Sequence, residues 1–436
     1  MGAFASGLVL ARTGVGTMLR LVAFELKKML VTKVSLCVNV GVLLLLCIIM
    51  FSNIVQQRTA SNEDEQLQGT AAIAHVRETR QVHAGMLTPD RVAEDIARYR
   101  AIAFEKVDPS QLADLSDAAA YSLMSETYDR DTLAKLYDPY YAYLVSPWRI
   151  AAQEPYQIAA NINAEQAEGF YEAIASKVEN RLSGGGGTMW VYSDAERTYW
   201  LDKQASVETP FEYGYAEGWS DILDCIGFLV FAMLGICVTL APVFAGEYQA
   251  RTDAILLSSR YGRSKLVVAK IVASFAYATM LFALAVLAVC GIPLAFFGMD
   301  GAALPLQNVD LAIPYAFTMV QAVLVQVGLT YLMTLGFAAL TLLLSARMRS
   351  TLGVFVVDVV LIVMTGMVPS GGNAAVARII DLFPYGAASV SFGSLVSYPF
   401  GPMVFDLPSM IVVVYSLAIV VCVPLAAIGF RRHQVM

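Results

Sequence analysis

Residues 34–54 contain no charged side chain and include four consecutive leucines, Leu43, Leu44, Leu45 and Leu46. About twenty apolar residues, each rising 1.5 Å along a helix, cross a hydrocarbon core of roughly 30 Å. Five further stretches meet the same test: 222–245, 266–294, 314–344, 351–368 and 410–430. The stretch 314–344 is uncharged and long enough to tilt, and 351–368 is the shortest. Only 15% of the chain is charged and 57% is hydrophobic, whereas a soluble domain carries roughly a quarter charged residues. The expected fold is an all-α membrane protein: six transmembrane helices, with a mostly helical extracytoplasmic domain inserted between helices 1 and 2.

Lys and Arg decide which loops face the cytoplasm. The N-terminal 33 residues carry Arg12, Arg20, Lys27, Lys28 and Lys33. The loop after the second span, with the start of the third, adds Arg251, Arg260, Arg263, Lys265 and Lys270. Arg347 and Arg349 follow the fourth span, and Arg431 and Arg432 close the last. Against these fourteen basic residues stand three acids, Glu25, Glu247 and Asp253. The loops 298–313 and 369–409 hold a single basic residue, Arg378. The positive-inside rule therefore places both termini in the cytoplasm of a multi-pass protein of the cell (plasma) membrane.

The organisation expected is a cytoplasmic N-terminus at 1–33, a first helix at 34–54, an extracytoplasmic domain at 55–218, and helices 2–6 at 219–436 with a cytoplasmic loop at 246–265. Segment 55–218 has 14 basic and 26 acidic residues, and it is long enough to fold as a domain. Thr88-Pro89-Asp90 reads as an N-cap followed by proline in the first turn. Residues 163–182 alternate apolar and charged side chains at helical spacing and stop at Gly184-Gly185-Gly186-Gly187. With no cysteine in this segment, it must hold by packing alone. Trp200, Phe211, Tyr213, Tyr215 and Trp219 cluster before the second span, where aromatics favour the headgroup layer. Ahead of the first span, 18–33 is amphipathic: Leu19, Val22, Leu26, Met29 and Leu30 share one face, which suits the inner membrane surface. The first apolar run, 4–11, is short for a signal core and has no basic region before it, so insertion is expected to rest on the first span; Met18 offers a second candidate start.

The six cysteines all fall in apolar runs without metal-site or redox spacing. The chain has no Gly-Lys pair, and so no phosphate-binding loop of its own. Leu182-Ser183-Gly184-Gly185 imitates an ATPase signature but stands alone. His75, His83 and His433 form no His-Glu-x-x-His pattern, and a single carboxylate, Asp358, lies at mid-membrane depth, which excludes a membrane metalloprotease and an aspartyl dyad. A charge at that depth costs about 2.5–3.5 kcal/mol on insertion scales, so Asp358 must face protein or water. Two roles stay open for it: a pathway or helix-interface acid, or a packing residue, protonated or hydrogen-bonded, with Gln321 or Gln326 of the fourth helix as its partner.

The most informative loop reads Glu247, Arg251, Thr252, Leu256, Leu257, Arg260, Gly262, Arg263 and then Lys270. A short helix with apolar Ile255, Leu256 and Leu257 between charged flanks can dock into a groove on a cytoplasmic partner. This pattern resembles the permeases of ATP-binding-cassette exporters of the type-two branch, in which a Glu at the end of the second helix precedes a short coupling helix, a Gly-Arg turn and a Lys re-entering the membrane. The Arg347-Met348-Arg349-Ser350 turn and Phe383-Pro384 fit the same branch. The large first outer segment, with Thr209-Pro210-Phe211-Glu212-Tyr213-Gly214-Tyr215, resembles a bacterial subgroup with an outer domain, some of whose members are linked to antimicrobial-peptide export or immunity.

What the resemblance implies is a permease subunit, not itself an enzyme, whose coupling residues are those eight from Glu247 to Arg263. It implies no cofactor in this chain, with ATP and Mg bound by a cytoplasmic ATP-binding-cassette ATPase. The expected partners are that ATPase, a second permease subunit (identical or paralogous) and the bilayer, with no nucleic acid. The alternative function is a membrane sensor or scaffold whose outer domain binds a ligand without transport.

Overall fold

The computed structural model describes residues 2–60, 66–112, 115–150, 153–184, 190–259, 261–368, 372–388 and 392–432. Among them, five helices are long and apolar enough to cross a membrane: Lys33–Gln56, Glu217–Gln249, Lys265–Phe297, Met319–Arg347 and Leu407–Arg431. They are called here the first, second, third, fourth and last helices. Each matches a predicted stretch. Their boundaries follow from caps more than from apolarity. The fourth helix begins at Met319 rather than near 314 because Thr318 and Gln321 form a reciprocal capping box. The last begins at Leu407 because Asp406 accepts the Ser409 N–H at 3.0 Å.

The sixth predicted span, 351–368, is the exception. It contains a helix of 12 residues, Thr351–Ile362, followed by a 3₁₀ turn, Met364–Met367. Twelve residues give about 18 Å of helix, well short of a bilayer core of roughly 30 Å. Ser350 caps its start, accepting the Gly353 N–H at 3.1 Å.

Two apolar cores organise the long helices. One gathers the first, second and third helices around Leu46, Met50, Ile236, Tyr277 and Leu281. The other gathers the fourth and last helices around Met333, Phe337, Ile411 and Tyr415, and continues outward to Trp200 and Trp219. The fourth and last helices approach closely at Gly336, where a Cβ would lie 2.6 Å from a ring carbon of Tyr415.

Between the first and second helices, the segment 55–218 supplies most of a third apolar cluster, including Val92, Ile96, Tyr99, Leu144, Tyr156 and Phe170, which Leu311 joins from outside the segment. Thr88 caps Pro89–Ala103 as predicted, accepting the Arg91 N–H at 3.3 Å. The predicted helix over 163–182 is broken at Gly169 into Ala164–Glu168 and Phe170–Leu182. The glycines 185–187 lie outside the described residues. Among the described residues, three antiparallel two-stranded ladders accompany the helices, at 58–60 with 66–68, 85–86 with 212–213, and 397–400 with 403–406.

Charged contacts seat this segment on the start of the second helix and on the stretch that leads into the last. Arg80 pairs with Glu217 at 2.6 Å. On the helix Asp194–Ala205, Glu196 receives Arg378 and Ser397, each at 2.8 Å, and Lys203 pairs with Asp406. The aromatic cluster has a different role from the one its position predicted. Trp200, Phe211, Tyr213, Tyr215 and Trp219 are all buried in protein. Instead of facing headgroups, they pack the joint between this segment and the helix ends.

Candidate functional site

The second helix does not run straight to its end. Pro242 interrupts it, because proline has no N–H and its ring clashes with the carbonyl four residues back. The closing part, Pro242–Gln249, carries Glu247 at its last turn. Beyond it, Arg251 adopts φ 53°, a left-handed conformation that reverses the chain. Thr252 then folds back on Glu247, its N–H reaching the Glu247 carbonyl at 3.0 Å and its hydroxyl donating to Glu247 Oε2 at 2.5 Å. A helix of six residues, Asp253–Ser258, follows.

Glu247 is the centre of a buried charge cluster. Lys270, on the third helix, is 1% exposed and contacts Glu247 Oε1 at 3.0 Å, Glu25 Oε2 at 3.2 Å and the Val243 carbonyl at 3.2 Å. Lys28, at the rim and 52% exposed, adds a second cation on Glu247 Oε1 at 3.0 Å. Glu25 and Lys28 belong to the N-terminal helix Gly2–Val31, which a one-residue break at Thr32 separates from the first helix. An isolated charge buried this deeply is costly, and each is tolerated because it is paired and hydrogen-bonded. The cluster therefore fixes three elements together: the N-terminal helix, the end of the second helix and the start of the third.

The short helix presents one side chain fully. Ile255 is 71% exposed, Leu256 is partly buried, and Leu257 is buried beneath it in the core. The predicted docking face of three apolar residues is thus narrower: Leu257 anchors the helix and Ile255 is displayed. Gly262 ends the turn at very close range, since a Cβ there would fall 1.6 Å from the Leu256 carbonyl oxygen. Arg251 and Arg263 are exposed on either side. Lys265 lies over the Tyr261 ring at 4.9 Å. Arg260 lies outside the described residues.

Asp358 is buried, and its Oδ2 accepts the Thr341 hydroxyl of the fourth helix at 2.9 Å. Neither glutamine suggested by the sequence is its partner. Gln326 donates instead to the Ala388 carbonyl at 2.8 Å, and the Gln321 side chain caps its own helix.

Sequence reasoning placed Glu247 and Lys270 in one motif but missed Glu25 and Lys28 as their partners. One signal was present: Glu25 is an acid between Val22, Leu26 and Met29, on the face of a helix otherwise apolar there. Leu19, predicted on that face, is exposed.

Several long apolar helices, held at one end by a buried ion cluster, define a multi-pass membrane protein. The chain belongs to the ABC-2 transporter family: the profile of the ABC-2 family transporter proteins matches residues 22–383. A member of that family is a permease, the membrane component of an ATP-binding-cassette transporter, and implies a cytoplasmic ATPase of that class as partner. No curated protein and no solved structure matches the chain significantly.

Proposed function

We propose that this permease serves an ATP-driven exporter and that 246–265 is its coupling loop, with Glu247, Arg251, Thr252, Leu256, Leu257, Arg260, Gly262 and Arg263 forming or supporting the surface that meets the ATPase. The observation that carries the reading is Lys270. A fully buried lysine ties Glu247, at the root of the loop, to Glu25 of another helix. A push on the loop is then carried by an ion cluster rather than lost in a flexible turn.

In this reading the basic ends of the helices and both termini face the cytoplasm, 351–368 completes a sixth crossing with the 3₁₀ turn Met364–Met367 extending the short helix, and 55–218 stands outside the cell as a separate domain. Two permease subunits, identical or paralogous, assemble with two ATPases. ATP and Mg reside on the ATPases. The acidic balance of 55–218 favours cationic peptides as cargo, and the resemblance at 209–215 favours an antimicrobial compound among them. Asp358 faces protein, at a helix interface or beside the pathway.

The test follows from exposure. Burying Ile255 in a groove of the ATPase contributes about 1.5–3 kcal/mol before association costs. Ile255→Asp combined with Leu256→Asp should weaken co-purification of the ATPase or uncouple its hydrolysis from transport, with membrane insertion unchanged. Leu257 is left intact because its loss would disturb the core. An unaltered complex with unaltered transport would reject the coupling loop and favour the sensor or scaffold. The orientation is checked separately with Ser122→Cys, on an exposed site, labelled by a membrane-impermeant reagent in intact cells. Labelling only after lysis overturns it.

A further inference from the structure

The break at Pro242 is bridged by a side chain from another helix. Ser345, buried near the end of the fourth helix, accepts the N–H groups of Phe244 and Ala245, both at 3.0 Å. The same hydroxyl donates to the carbonyl of Ala241 at 2.7 Å. It therefore gives one hydrogen bond to the residue before the proline and takes two from residues after it. Insertion of a side chain into the backbone ladder is a recognised cause of a helix bend, and buried backbone groups at a bend need such partners. Two further contacts tie the same segment to the same place. The Tyr248 hydroxyl donates to the Ala346 carbonyl at 3.1 Å. Ala241 and Ala245 also pack with Val354 in a small apolar cluster.

We infer that Ser345 is a positioning residue that makes the fourth helix the receiver of coupling-loop motion. The inference rests on the coupling-loop reading and deepens it. A proline break close above Glu247 isolates Pro242–Gln249 from the rest of its own helix. The Ser345 hydroxyl and the Tyr248 contact fasten that piece to residues 345–346. Displacement of the loop then moves the cytoplasmic end of the fourth helix with it, and through the close approach at Gly336 and Tyr415, the last helix as well.

The experiment uses the full permease with its ATPase in nanodiscs, native cysteines replaced, and spin labels at exposed sites. Leu44→Cys on the first helix is the reference. One pair reads the loop, with Ser258→Cys; the other reads the fourth helix, with Leu324→Cys. A non-hydrolysable ATP analogue with Mg is the probe. With Ser345 present, both distances should shift. Ser345→Ala should leave the loop shift and reduce the fourth-helix shift by at least half, and should raise hydrogen exchange of the Phe244 and Ala245 amides at least tenfold. Ser345→Thr, which keeps the hydroxyl, should restore both. If Ser345→Ala fails to fold, Pro242→Ala is added. That change removes the ring clash and returns the N–H of residue 242, so the helix can run straight and the Phe244 and Ala245 amides can reach the carbonyls of Leu240 and Ala241; amide protection should recover while the fourth-helix shift stays reduced. A fourth-helix shift that survives loss of the hydroxyl overturns the inference and leaves the coupling loop standing. A loop label that never responds to nucleotide removes the coupling loop itself, and this inference with it.

Discussion

Lys270→Met is the most decisive single change at the charge cluster. Methionine nearly matches the volume of the lysine stem but leaves Glu25 and Glu247 facing each other without their shared cation. Removing one partner of a buried ion pair typically costs about 3–5 kcal/mol, because the remaining charge stays desolvated. Here the lower end applies, since Glu247 retains Lys28 at 3.0 Å and the Thr252 hydroxyl at 2.5 Å. Among the described residues, Glu25 pairs with Lys270 and with no second cation, so most of the loss should fall on it. Glu25→Gln combined with Lys270→Met should therefore recover roughly 1–3 kcal/mol relative to Lys270→Met alone, within the usual range for coupled neighbours. Unfolding in mixed detergent micelles measures all members of the cycle. Nucleotide hydrolysis by the assembled transporter supplies the functional readout. Effects of Glu25→Gln and Lys270→Met that add to within about 0.5 kcal/mol would show no interaction between these residues, and the proposed transmission through the cluster would fail.

Gly262→Ala should distort the turn after the short helix, because the new methyl would meet the Leu256 carbonyl at 1.6 Å; reduced ATPase co-purification with normal membrane insertion is the expected result. Asp358→Asn keeps an acceptor for Thr341 and removes the charge; ATPase stimulation should fall while the complex still forms, and full activity would assign Asp358 a packing role alone. At Asp406, burial pushes the carboxyl up, but the hydrogen bonds from Lys203 and Ser409 outweigh it and hold the group below its ordinary value. A depressed folded value means the stabilisation is complete above the unfolded value of about 3.9 and fades as pH falls through the folded one. Acidification should thus release the helix Asp194–Ala205, seen as faster proteolysis around 206–210, and Lys203→Met should move that release to higher pH.

The long helices were legible because a bilayer-length apolar run leaves few alternatives. In the loop, the short helix was legible from apolar residues between charged flanks, and it forms as Asp253–Ser258; which of its side chains is displayed was not. The short fifth helix was not. Apolarity continues through 351–368, yet the α-helix stops at Ile362, and hydropathy alone does not mark where a helix ends. The aromatic cluster before the second helix was misplaced for a related reason: Trp and Tyr suit a headgroup layer and a protein joint equally well, and the choice depends on what packs beside them.

What the sequence by itself determined is therefore local and solvent-driven: which stretches leave water, where Lys and Arg accumulate, and where a cap such as Thr88 starts a helix. What only the tertiary structure decided is which distant residues meet. Glu25 and Lys270 are 245 positions apart, and Ser345 lies about a hundred from the break it bridges. Such pairings carry no periodic signal in the chain. They arise because buried polar groups must find partners, and packing of the helices fixes which partners are within reach.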